Sequence, residues 1–229
     1  MDGDGSRAGT GPDGRCPGVI DRSVKEQHHW RIMVEDRRLT TQGLERKQQL
    51  LDCAAELFAE RGYNETRVID IVKAAGVAKG LFYWYFDNKE ALMIDLVRSM
   101  RLRLRHAQAD AIDPTADPLT RIRQGTEASV RFMATHRAYF ALLEVEQHAA
   151  GLPALLSEGT TVHAADAAVH INEAQAAGQV DPDRDPNLLA LGVLGAVALF
   201  SHYHRSGRVE MDVDHLATFV GDWVIAALT

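Results

Sequence analysis

TRVIDIVKAAGVAKGLFYWYFDNK, residues 66–89, is the stretch whose reading decides the fold. Val68, Ile71, Val72 and Ala75 recur at helical spacing, and Thr66 is expected to cap that helix by accepting from the free amides of its first turn. Gly76 supplies the left-handed residue that ends the helix and turns the chain. A second helix of about two turns fits residues 78–85, with Phe82 and Phe86 one turn apart as its inward face. Lys79, Gly80, Leu81, Tyr83 and Trp84 then look outward. Two short helices meeting at a glycine, the second exposing such residues, form a helix-turn-helix suited to the major groove of DNA.

Taken alone, residues 82–86 read more readily as a core helix, because aromatic side chains dominate cores. The flanks reverse that preference. The whole run LLDCAAELFAERGYNETRVIDIVKAAGVAKGLFYWYFDNKEAL, residues 50–92, closely resembles the DNA-binding domain of the tetracycline-repressor (TetR) family of transcriptional regulators. The match spans the amphipathic first helix, its Arg61-Gly62-Tyr63 exit, Ala75-Gly76-Val77 at the turn, and Phe82-Tyr83-Trp84-Tyr85-Phe86 followed by Asn88-Lys89-Glu90. As a joint pattern it is far more specific than any part. The resemblance implies DNA contacts from Thr66, Arg67, Ala78, Lys79, Gly80, Leu81, Tyr83, Trp84, Tyr85 and Lys89. Tyr83 can donate to a phosphate while its ring packs on a sugar, and Arg67, Lys79 and Lys89 can add charge-assisted contacts. This chain also departs from the family pattern. Arg67, Ala78 and Leu81 stand where members usually carry hydroxyl residues, so Arg67 is expected to offer a phosphate contact and Leu81 an apolar contact to a thymine methyl.

A chain of 229 residues, 46% of them hydrophobic, can bury a sizeable core in a two-part molecule. Its two cysteines, Cys16 and Cys53, make no disulfide framework, and a reducing cytoplasm fits best. No apolar run is expected to span a membrane, and the N-terminus lacks an apolar signal core. The net charge of −7 looks wrong for a DNA binder, yet residues 1–105 carry 18 basic against 16 acidic groups and the remainder 7 against 16. The acidic excess thus sits away from the expected DNA face.

Along the chain, residues 1–41 read as a disordered tail: glycine-rich to residue 18, then a leader with His28-His29-Trp30 that could alternatively be a basic arm on DNA. Met33 could be the true start. Residues 42–104 read as the helix-turn-helix domain. Its first helix is expected over 44–61, and a long helix follows an Asn88 cap with Leu92, Leu96, Met100 and Leu104 inward and Arg98, Arg101, Arg103 and Arg105 along its far half. In the resembling family this helix links the reading head to an effector domain, here residues 105–229. Asp117-Pro118 starts the next helix, with Ile122, Val130 and Met133 inward. Segment 138–148 brings Tyr139, Phe140, Leu142, Leu143 and Val145, and Gly151 and Pro153 announce a helix that ends at Gly178.

The fold class expected is therefore all-α, an N-terminal three-helix DNA-binding domain followed by a helical ligand-binding and dimerisation domain. His163, Asp166 and His170 share one helix side, but the two histidines lie two turns apart, too far for one ion without another element, so no metal or cofactor is expected. Phe132, Tyr139, Phe140, Glu144, His163 and His170 are candidates to line a cavity for a small-molecule effector of unknown identity. Two strongly apolar final helices, over 186–206 and after Asp212 or Asp214, suggest a partner surface. The resemblance makes it a homodimer interface, with Leu191, Gly192, Gly195, Leu199, Leu216, Val220, Trp223 and Ala227. The function expected is a homodimeric, ligand-responsive regulator, a repressor of an inverted-repeat operator in double-stranded DNA, with no membrane partner. The rivals are a helical interaction module that has lost DNA binding and a small helical enzyme, although no nucleophile elbow, glycine loop or zinc helix is found.

Overall fold

The computed structural model describes residues 40–146 and 152–229. The expectations for the tail and leader up to residue 39, with Cys16, and for Gly151 and the Val145 side chain lie outside the described residues. Backbone proximity divides the chain into Met1–Arg46 and Lys47–Thr229, and of the first unit residues 40–46 are described.

Among the described residues there are nine α-helices and no strand. They are α1 (Thr41–Arg61), α2 (Val68–Ala74), α3 (Lys79–Tyr85), α4 (Lys89–Ala111), α5 (Pro118–Thr135), α6 (Arg137–Glu146), α7 (Leu152–Ala176), α8 (Pro186–Arg205) and α9 (Val213–Leu228). The all-α expectation therefore holds. Helix α1 begins at Thr41, three residues before the expected start and inside the stretch read as tail. Most boundaries follow the capping chemistry written in the sequence. Asn88 accepts from the Ala91 amide, Asp117 from Leu119 and Thr120 with Pro118 in the first turn, Asp185 from Asn187, and Asp212 from Asp214 and His215.

The exit of α2 is a Schellman turn. Gly76 adopts φ +62°, its amide donates to the Lys73 carbonyl at 3.2 Å, and the Val77 amide donates to the Val72 carbonyl at 3.0 Å. The entry of α2 corrects the sequence reading: Arg67, not Thr66, is the N-cap. Thr66 is buried, and its hydroxyl donates to the Gly62 carbonyl at 2.8 Å and the Leu57 carbonyl at 3.2 Å. The hydroxyl satisfies the frayed end of α1 instead of the start of α2, because the carbonyls left over at a helix C-terminus also need donors.

Two apolar clusters organise the molecule. The first unites Leu50, Leu51, Ala54 and Phe58 of α1 with Ile71 and Val72 of α2, Phe82 of α3, Phe86, and Leu92, Leu96 and Met100 of α4. Its far end reaches Leu104, Phe132, Tyr139 and Leu142. The second unites Ile122 and Val130 of α5, Ile171 of α7, Val197 of α8, and Leu216, Val220 and Val224 of α9. Helix α5 packs on α4, α6, α7, α8 and α9 and so forms the hub of this half. It runs antiparallel to α4, with Arg103 meeting His136 at 3.0 Å and Gln108 meeting Ser129 at 2.9 Å. Full burial of Leu216, Val220 and Val224 is worth about 1.5–3 kcal/mol each. One expectation about apolar runs fails: α8, at 20 residues, is long and apolar enough to cross a membrane by length and composition. It packs instead against α5, α7 and α9.

Candidate functional site

Phe82 and Phe86, both buried with ring centroids 5.5 Å apart, plug α3 into the first cluster. Their burial fixes the rotation of a helix only seven residues long, and the opposite face stands in solvent. Trp84 is 64% exposed and Tyr83 49% exposed. Ala78, Lys79 and Gly80 are exposed beside them, and the Lys79 ammonium lies 5.8 Å from the Tyr83 ring centre. Leu81 and Tyr85 are half-buried, Tyr85 packing against the core with its ring edge-on to Trp84 at 4.7 Å. Two large exposed aromatics beside a lysine and a glycine make a surface that can stack on sugars, donate to phosphates and approach base edges closely.

Helix α2 adds to this face. Arg67 is exposed and forked onto Asp70, Nε to Oδ2 at 3.0 Å and Nη2 to Oδ1 at 3.2 Å. That hydrogen-bonded pair lowers the Asp70 carboxyl from its ordinary range and raises the Arg67 guanidinium. Exposed Ile69 and Lys73 lie on the same short helix, and neither was singled out from the sequence. Gln49 donates to the carbonyl of Ala75, the C-cap of α2, at 3.0 Å and so ties α1 to the turn.

Two residues expected at the DNA face are elsewhere. Thr66 is buried, as described above. Lys89 turns inward: its ammonium donates to the carbonyls of Tyr63 at 2.6 Å, Thr66 at 2.9 Å and Asn64 at 3.3 Å, and sits 4.2 Å from the centre of the Tyr63 ring. Three carbonyls converging after the α1 exit give this ammonium charge-assisted acceptors. Lys89 is thus a clamp between the first turn of α4 and the loop feeding α2.

A second feature lies in the other half of the chain. A cavity of about 590 Å³ opens between α4, α5, α6, α7 and α8, within the range of small-molecule sites. Of the six expected lining residues, Tyr139, Phe140, His163 and His170 line it. Phe132 does not; it is buried and stacked on His136 at 4.1 Å. Glu144 does not either, being ion-paired with Arg205 and lying 3.1 Å from the His202 Nδ1. The sequence reading missed the polar groups that α4 and α5 send into the wall, among them Arg101, Gln108, Arg121, Thr126 and Ser129. Gln108 donates to the Ser129 hydroxyl at 2.9 Å, which in turn donates to the Gly125 carbonyl at 2.7 Å. The buried hydroxyl of Thr126 has no hydrogen-bond partner among the described residues.

The charges around the cavity are mostly matched. Asp166 pairs with Arg105 at 3.1 Å, and Glu173 pairs with Arg121 at 2.8 Å and approaches His170 at 3.4 Å. Hydrogen bonding to His170 is the largest influence and holds the Glu173 carboxyl low against desolvation, with the charge and hydrogen bond of Arg121 assisting. Burial pushes the His163 imidazole below its ordinary value, with Arg101 and Arg105 adding to it and Asp166 opposing. Burial also raises the Tyr139 phenol. The three groups weighed as a metal set, His163, Asp166 and His170, do share the cavity wall, but no metal-binding cluster occurs among the described residues.

The residues expected at a dimer face divide in two. Leu191, Gly192, Gly195 and Leu199 on α8 and Trp223 and Ala227 on α9 are exposed. Leu216 and Val220 are buried within the chain's own core, a correction that follows from the helical phase: they share the inward stripe of α9 with Val224. Exposed Leu188 and Phe219 extend the outward apolar strip. A Cβ added at Gly192 or Gly195 would meet nothing within 4 Å.

Comparison with known proteins agrees with this architecture. Residues 50–96 match the family described as bacterial regulatory proteins, tetR family. The HTH-type transcriptional repressor KstR2 of Mycobacterium tuberculosis is 36% identical over 101 residues, 44% of this chain and 50% of that protein, so this chain spans about half the length of that relative. The transcriptional regulator AcuR of Cereibacter sphaeroides is 32% identical over 184 residues, 75% of this chain and 80% of AcuR. Among solved structures, the transcriptional regulator FadR from Bacillus subtilis in complex with stearoyl-CoA superposes with a TM-score of 0.69 at 21% identity, covering 80% of this chain and 99% of FadR. That last likeness is one of fold. The head sequence, the helical body behind it and an alignment running through most of AcuR converge, and the chain belongs to the tetR family of bacterial regulatory proteins.

Proposed function

We propose that this chain is a DNA-binding transcriptional regulator, a ligand-responsive repressor that reads an inverted-repeat operator as a homodimer. The observation that carries the reading is the division of the α3 aromatics: Phe82 and Phe86 are buried anchors, whereas Tyr83 and Trp84 stand in solvent beside Lys79. Arg67, Ala78, Gly80 and Leu81 complete the proposed contact set, with Tyr85 at its edge. The proposed reading head is residues 42–104, and residues 105–229 form the effector and dimerisation part. The exposed strip of Leu191, Gly192, Gly195, Leu199, Trp223 and Ala227 is the proposed self-association surface, since side-chain-free positions let two helices approach closely. Two heads related by a dyad would enter successive major grooves about 34 Å apart.

The cavity of about 590 Å³ is the proposed effector site. An apolar small molecule suits its walls, and the FadR relative, in complex with stearoyl-CoA, supports a lipid-like ligand. Ligand binding would shift the head-to-head geometry and lower operator affinity, typically by a coupling of about 1–3 kcal/mol. Such a protein works where the DNA is, in the cytoplasm, and needs no catalytic group. The test is fluorescence anisotropy on DNA flanking the protein's own coding region. Salt-sensitive binding, abolished by Tyr83→Ala with Trp84→Ala in a protein that melts normally, is expected. Unchanged binding by that double variant would remove the proposed face.

A further inference from the structure

Thr126 departs from a pattern that the other helical hydroxyls of this chain set. Ser129 and Thr135 of α5 and Thr160 and Thr161 of α7 each donate to the backbone carbonyl four residues earlier, the local partner that a helix offers such side chains. Thr126, in the middle of α5 and 3% exposed, makes no such bond, and its hydroxyl has no hydrogen-bond partner among the described residues. A buried hydroxyl left this way gives up its hydration for nothing. Thr126 lines the cavity of about 590 Å³, one turn before Ser129, whose own hydroxyl is occupied by Gln108 and the Gly125 carbonyl. The Thr126 hydroxyl is screened from solvent as the chain stands. Threonine in a helix populates two χ1 wells, so a turn about one bond is the adjustment that brings the hydroxyl to an incoming oxygen.

Resting on the reading of this cavity as the effector site, we propose that its ligand is an apolar molecule bearing a neutral carbonyl, whose oxygen accepts a hydrogen bond from Thr126. The unmet group is a neutral donor, and its complement is a neutral acceptor. The charged groups of the wall are already engaged: Asp166 pairs with Arg105, Glu173 with Arg121, and Arg101 is not free. Burial favours the neutral form of His163. A carboxylate brought to Thr126 would exchange its water for one neutral hydrogen bond in a desolvated wall. A hydrocarbon of the same shape would leave the hydroxyl as unsatisfied as before, and a site that hydrogen-bonds its ligand discriminates on that difference. Met100, Leu104, Met133 and Leu143 supply apolar wall for the rest of the molecule.

Benzophenone and diphenylmethane share one shape and differ in the carbonyl oxygen, and the test is calorimetric titration of both into the full chain and into Thr126→Val. Valine keeps the size of the side chain and removes the hydroxyl. The benzophenone dissociation constant is expected to rise at least about fivefold in the variant, while diphenylmethane binds the two proteins within about twofold of each other. Without ligand, Thr126→Val should melt about 2–4 °C above the unmodified chain, because it no longer buries an unmet hydroxyl. Benzophenone affinity that the variant leaves unchanged, a loss shared equally by diphenylmethane, failure of both probes to bind, or a melting temperature that stays level or falls overturns the proposal. Operator affinity with and without benzophenone separates the two readings. Thr126-dependent binding that leaves operator affinity unchanged would sink the effector reading and leave the carbonyl contact standing, whereas operator release insensitive to Thr126→Val would sink this inference alone.

Discussion

Replacing Lys89 with methionine separates a structural clamp from a DNA contact. The substitution keeps the unbranched stem and removes the ammonium that donates at 2.6 and 2.9 Å to the carbonyls of Tyr63 and Thr66, more weakly at 3.3 Å to Asn64, and covers the Tyr63 ring. Hydrogen bonds to a charged donor contribute about 1.5–3 kcal/mol each, and the ring contact adds about 0.5–1 kcal/mol. Ordering a lysine side chain costs about 2 kcal/mol, which the variant no longer spends. The freed carbonyls are only partly buried and regain water. The net loss is then about 2 kcal/mol, or a fall of about 4–8 °C in melting temperature for a chain of this size. Operator affinity should fall with it, because the loop that positions α2 loosens. The slope of log affinity against log salt should stay unchanged. A phosphate-contacting lysine behaves oppositely: its loss leaves stability intact and reduces the slope by about 0.9 per head. Thermal melts and anisotropy titrations at several salt concentrations decide, and an unchanged melting temperature with a reduced slope would refute the clamp.

Four further outcomes are expected. Gly76→Ala places a side chain at φ +62° where no atom lies within 4 Å, so the cost is conformational, about 1–2 kcal/mol by denaturant titration; an unchanged midpoint would mean the turn is not held left-handed. Leu199→Asp with Trp223→Asp should convert a sedimenting dimer to monomer while each chain stays folded, since both side chains are exposed; Leu216→Ala should instead cost about 2–5 kcal/mol, and a dimer surviving the double change would remove the proposed strip. His163 is kept neutral by burial, so its folded pKa lies below the unfolded value of about 6.5. Stability is then full above that pH and falls as the unfolded chain takes up a proton below it; His163→Leu should show a smaller drop in melting temperature between pH 7.5 and 5.5 than the unmodified protein, and an equal drop would contradict the assignment. Phe82→Ala empties the anchor of α3 and should cost about 3–5 kcal/mol, together with specific DNA binding; a folded variant with full affinity would show that α3 is held some other way.

What was legible in the sequence is what local chemistry dictates. Asn88, Asp117, Asp185 and Asp212 cap helices as their residue types require, and Gly76 turns the chain because only it takes a positive φ cheaply. The phase of Phe82 and Phe86 was readable from spacing alone. The failures share a different cause, a partner distant in sequence. Lys89 finds carbonyls 23 to 26 residues back, and no local pattern announces them. Thr66 has a cap-like neighbourhood but meets the last carbonyls of α1. Glu144 is taken by Arg205, 61 residues on, and so leaves the cavity. Leu216 and Val220 carry the same apolar signal as a dimer face, and only the packing of α5 against α9 shows which side of α9 is inward. Arg101 was legible as one of four arginines on a helix, but that it reaches the cavity wall depends on neighbouring helices that no periodicity links to it.

Hydroxyl-radical footprinting of the full chain on the DNA flanking its own coding region tests the central claim most directly. Two protected patches related by a dyad and centred about one helical turn apart are expected, and both should vanish together in the Tyr83→Ala, Trp84→Ala double variant. Uniform cleavage at low salt, or a single patch that persists in that variant, would contradict the assignment of α3 as the reading helix.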